Sequence, residues 1–230
     1  MELFGIGAIS SMTAYAVVYP FEQLYNIINN GGAVNTYLYR GILQIIPLAA
    51  MRGAAISGIY GTMHKIGREK NIPFWCTHLA GSGLAGIGCV SSNYIYDRMM
   101  MRQSWKEYNP RPRIKWIQIP TIMLYLTTYS GLRRYVATEG DYFHYFVCGG
   151  ASGLVATSFN YPIMKFQYWH NHSIKYWMVN DKRICWNYMW TNKLFYKGAS
   201  WSFWSSFVRS GILFSVLEYL TKKVGDDHIF

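Results

Sequence analysis

Three stretches of this 230-residue chain resemble one another, and that internal likeness constrains the fold more than any other feature. They are residues 7–25 (GAISSMTAYAVVYPFEQLY), 82–100 (SGLAGIGCVSSNYIYDRMM) and 149–167 (GGASGLVATSFNYPIMKFQ). Each places two small residues four apart: Gly7 and Ser11, Ser82 and Gly86, Gly149 and Gly153. Nine residues later comes a fixed point, Pro20, Ile95 or Pro162, and each follows a tyrosine: Tyr19, Tyr94, Tyr161. Self-similarity at a fixed period marks a repeated structural unit. The even segments repeat as well. Aligning Ile46-Pro47 with Ile119-Pro120 places Arg40 with Arg113 and Gly58 with Gly131. Gly41 precedes Arg52 by the same interval that separates Gly198 from Arg209.

Each unit holds two helix-length apolar segments, so the expected architecture is all-α, with one domain over 1–230. The repeats run approximately 1–70, 71–140 and 141–230. Six helices are predicted near 3–28, 38–64, 75–103, 115–137, 143–170 and 199–223. Residues are 51% hydrophobic and 18% aromatic but only 14% charged, against about 25% charged in ordinary soluble domains. Depleted charge with abundant Gly, Trp and Tyr fits helices packed in a bilayer with aromatic belts at its faces. The mean hydropathy of +0.03 is low, and no stretch is a clean run of about 20 apolar residues. The expected helices are therefore amphipathic around a polar interior. The plain alternative is a soluble helical protein.

The net charge of +11 is concentrated rather than spread. Residues 29–40 hold Arg40. Residues 102–115 hold Arg102, Lys106, Arg111, Arg113 and Lys115 against Glu107, and residues 165–197 hold Lys165, Lys175, Lys182, Arg183, Lys193 and Lys197 against Asp181. Alternate connections of a six-helix chain fall on one side of a membrane, so this asymmetry is a topology indicator. It disfavours a nucleic-acid footprint, for which basic residues cluster without regard to alternate loops.

These residues resemble the mitochondrial carrier family. Its odd helices end in a Pro-x-acid-x-x-base signature, and an aromatic-base-Gly step opens the even helices. The chain offers Pro20, Glu22 and Tyr25; Ile95, Asp97 and Met100; Pro162, Met164 and Gln167. Two prolines and two acids match, and no base does. The resemblance covers nearly the whole chain. It implies six tilted transmembrane helices in three pseudo-symmetric pairs, in the mitochondrial inner membrane, with basic loops in the matrix and both termini toward the intermembrane space. No presequence precedes the first apolar segment, so internal signals are expected to direct the chain.

In the family, acid and base of successive repeats close the cavity toward the matrix. With Tyr25, Met100 and Gln167 in the base positions, that ring cannot form. The family's second gate, an aromatic-acid-x-x-base step, is broken too. Residues 60–64 read Tyr-Gly-Thr-Met-His, and Glu218 is followed by Thr221 where the base belongs. The resemblance makes Tyr39-Arg40-Gly41 and Tyr196-Lys197-Gly198 cardiolipin-binding steps. Helix N-termini with free N–H groups suit phosphate, and plain interfacial anchoring is the alternative. Arg52 and Arg209 are charges inside apolar spans, which face a cavity or bond to other helices.

The expected function is that of a carrier-derived inner-membrane protein which no longer transports. It would serve as an accessory subunit of a respiratory-chain complex or ATP synthase, with membrane lipid and other subunits as partners. The alternative is a divergent transporter of a small anionic metabolite or nucleotide. No enzyme constellation is visible. The spacing of Cys76, Cys89, Cys148 and Cys185 suggests no metal or redox pair, and His170 and His172 diverge on a helix. No cofactor is expected beyond bound cardiolipin.

Overall fold

The computed structural model describes residues 2–29, 42–100, 116, 118–136, 141–177, 182–196 and 199–224, with side chains throughout except at 25–29, 97–100, 167–177 and 182–185. The described residues form helices and no strand. Six are long: α1 (Glu2–Asn29), α2 (Ile42–Glu69), α3 (Phe74–Met100), α4 (Gln118–Val136), α5 (Tyr142–Trp177) and, after the short α6 (Lys182–Thr191), α7 (Ala199–Val224). Every long helix packs on the next long one in sequence, and α7 packs back on α1, so the six form a closed ring. Neighbours run antiparallel: Phe4 meets Gly58 while Gly7 meets Gly53.

The helices end where local chemistry ends them. Asn71 takes a left-handed φ of 52° just after α2, and the Ile72 N–H bonds back to the Gly67 carbonyl at 2.8 Å. Asn tolerates that conformation better than most residues with a Cβ. Pro73 then opens α3, where its missing N–H costs nothing. Asp141 caps α5 by accepting the Phe143 N–H at 2.9 Å. Pro20, Pro47 and Pro162 all lie inside helices that continue past them. The length of the third basic connection predicts a short helix within about 171–195, and α6 fills that place. α5 overshoots its predicted end at 170 by continuing to Trp177.

The paired small residues are the contact points of the ring. A Cβ on Gly53 would strike the Gly7 carbonyl and the Ser11 side chain, and one on Gly149 would sit 2.7 Å from the Ser210 carbonyl. Backbones this close are what small residues four apart permit. Ser57 Oγ donates to the Leu3 carbonyl at 2.8 Å, and Ser206 Oγ to the Gly153 carbonyl at 3.0 Å. The first and third pairs use equivalent positions. The second slips, and Gly86 meets Ile119 instead.

Among the described residues, two helical stretches, Glu2–Leu24 and Ile42–Glu69, are long and apolar enough to cross a membrane. The other long helices carry more Tyr, Trp, Ser, Thr and Asn, which lowers their hydropathy.

Candidate functional site

The ring encloses a cavity of about 640 Å³ toward the end where the basic segments lie. Its walls come from α1 (Tyr15, Glu22), α2 (Arg52), α4 (Thr121, Ile122), α5 (Asn160, Lys165) and α7 (Ser202, Ser205, Arg209), among others. Hydroxyls, one acid and three bases therefore face one space.

The charges are not free. Glu22 forms an ion pair with Arg209 and accepts a hydrogen bond from Ser205. Arg209 Nη2 in turn donates to Ser205 Oγ at 3.0 Å, one helical turn back. The Arg209 guanidinium lies 4.6 Å from the centre of the Tyr15 ring. Spacing along the chain leaves Glu22 without the base of its own signature. The ring supplies one from a helix 187 positions away, because α7 closes onto α1 and presents Arg209 at that height. Arg52 lies against Tyr15 and Cys89, and no carboxylate among the described residues pairs with it. Cys89 Sγ reaches the Arg52 carbonyl at 3.7 Å.

The opposite end of the ring is filled. Tyr60, Leu126, Tyr129 and Phe214 are fully buried there, in a core cluster to which all six long helices contribute. The Tyr129 and Phe214 rings stack 3.5 Å apart at 7°. Arg133 grips Glu218 with two contacts, Nε to Oε1 at 2.9 Å and Nη2 to Oε2 at 3.1 Å, and Tyr129 donates to Oε1 at 2.9 Å. The base missing at Thr221 thus comes from α4. Across α2, α3 and α4 runs a second network: Tyr60 bonds His78 Nδ1 at 2.7 Å and Ser130 Oγ at 3.0 Å, and His78 Nε2 bonds Thr127 Oγ1 at 3.0 Å. His64 packs 4.4 Å from the Tyr60 ring, and Arg134 covers Phe74 at 3.6 Å. Of this closure the sequence reading names Glu218, Thr221 and the step at 60–64, and it misses Arg133, Tyr129, His78 and Phe214. An Arg and a Glu near the same end of α4 and α7 were the available signal.

Of the other sequence-derived positions, Met164 is exposed, lines the cavity, and approaches Asn160 Nδ2 at 3.3 Å through its sulfur. The side chains of Tyr25, Asp97, Met100 and Gln167 lie outside the described ones. So do Tyr39, Arg40, Gly41, Lys197 and Gly198 entirely. Tyr196 is described: its hydroxyl donates to the Ser158 carbonyl at 2.9 Å and its ring stacks near Tyr161, which ties the start of α7 to α5. Cys89 and Cys148 are buried free thiols and Cys76 is exposed. No group of three or more His, Cys, Asp or Glu suited to a metal occurs among the described residues.

No protein-family model matches the chain, and neither a curated protein nor a solved structure does.

Proposed function

We propose that this chain is a carrier-like, six-span protein of the mitochondrial inner membrane that has lost transport and serves as a structural accessory subunit of a larger membrane complex, a respiratory-chain complex or ATP synthase. One observation carries the loss of transport. Glu22, the acid that a carrier gate would pair with a base of the next repeat, is spent on Arg209 inside the cavity. That single pair removes a gate acid and one of the two intramembrane arginines together. The closed six-helix ring and the two apolar spans support the membrane architecture. The remaining four long helices cross with their polar faces turned inward, which lowers their mean hydropathy without exposing polar groups to lipid. Bound cardiolipin is part of the reading, held at the aromatic-base-Gly steps.

Two measurements test it. The purified protein in liposomes is expected to show no saturable exchange of nucleotides, phosphate or carboxylates. In a native gel of solubilised membranes the chain is expected to migrate with a large complex. Migration as a free monomer would remove the subunit reading.

A second reading has its own observation. Arg52 faces a cavity of about 640 Å³ with no carboxylate partner among the described residues, which favours a divergent transporter of a small anion. A flux abolished by Arg52→Ala would establish it.

A further inference from the structure

The two ends of the ring differ in a way that fixes the direction in which the cavity opens. On each wall helix the cavity residues lie toward the basic end and the buried core lies beyond them. Arg52 is followed two turns later by Tyr60, Ile122 by Leu126 and Tyr129, and Arg209 by Phe214 and Glu218. On α1 and α5, which run the other way, Ile6 precedes Tyr15 and Cys148 precedes Ala156.

We infer that the far end is a permanent plug, so that the cavity is a one-sided vestibule reached only from the side of the basic segments. A gate that opens must exchange its bonds for equivalent ones or for water. Here four of the six long helices are tied by hydrogen bonds that bury both partners: α2 to α3 and α2 to α4 through Tyr60, α3 to α4 through His78, and α4 to α7 through Tyr129 and Glu218. His78 and Tyr129 are completely buried. Separating these helices would unstack Tyr129 from Phe214 and strand buried polar groups on all of them at once, and a buried polar group without its partner is disfavoured. The bonds sit inside the six-helix core rather than at its rim, so no subset opens alone.

The inference rests on the membrane reading above but not on membership of any complex. It is tested by access of a membrane-impermeant thiol reagent to full-length protein reconstituted in liposomes, with Cys76, Cys89, Cys148 and Cys185 replaced by serine or alanine. Single cysteines are introduced at Thr121 and Ser202 in the cavity. Lys193→Cys marks the basic side, and Tyr135→Cys, at 91% exposure, marks the other. Thr121→Cys and Ser202→Cys are expected to react from the Lys193 side and to be fully protected from the Tyr135 side. Reaction from both sides overturns the plug, and so does reaction from neither. If Lys193→Cys and Tyr135→Cys react from the same side, the membrane topology falls and the inference falls with it. Protein that fails to co-migrate with a complex yet labels from one side loses only the subunit assignment.

Discussion

The α4–α7 contact near Glu218 and the α1–α7 contact near Glu22 use the same chemistry: an arginine, a carboxylate and a hydroxyl. They differ in burial. The Glu218 side chain is 4% exposed, whereas Glu22 is 26% exposed and borders a cavity. A buried pair carries a large penalty when one partner is lost, because the survivor stays desolvated and uncompensated. A partly hydrated pair contributes little either way. Similar local motifs therefore hold the filled end rigidly and leave the cavity end adaptable.

That comparison can be broken by substitution, with thermal unfolding in detergent as the readout. Glu218→Ala is expected to have the largest effect, about 3–5 kcal/mol, because Arg133 is left buried without its counter-charge. Gly53→Ala comes next, at about 1–3 kcal/mol, since α1 and α2 must separate to admit a methyl group. Tyr60→Phe keeps the ring but leaves His78 and Ser130 short of a partner. About 1–2 kcal/mol is expected there, within the range for an unmet buried hydrogen bond. Glu22→Gln is expected to cost least, about 0–1 kcal/mol. If it costs as much as Glu218→Ala, the two ends are energetically alike and the contrast is gone.

Local spacing made part of this legible. Gly7 and Ser11, or Gly149 and Gly153, announce close helix contact because four residues bring two side chains to one face. Their partners Gly53 and Ser210 are harder to see, since nothing in the sequence says which face of α2 or α7 turns toward them. The pairs that define the two ends are harder still. Glu22 and Arg209 are far apart in the chain, and they meet only because the last long helix closes on the first. Tyr129 with Phe214 and Arg133 with Glu218 depend on the same closure. Tyr60 with His78 is short-range, but its alignment depends on how α2 is wound. Six helix-length segments were readable from apolar patterning. Only two satisfy a hydropathy test, because that measure averages over a helix whose polar side is turned toward a cavity.

The winding of α2 has a consequence of its own. Residues Ala55–Ile59 form a π turn, flanked by α-helix on both sides. A π turn accommodates one surplus residue within a continuous helix, so the segment from Tyr60 onward is phased differently from Ile42–Ala54. Each residue advances an α-helix by about 100°. Removing one residue from Ala55–Ile59 would let α2 rewind as uninterrupted α-helix and swing Tyr60 and His64 by about that angle. The length of this segment, as well as its composition, decides whether Tyr60 reaches His78. In the divergence of such a chain, a single-codon insertion or deletion there would re-aim the distal half of a helix while leaving its apolar character untouched.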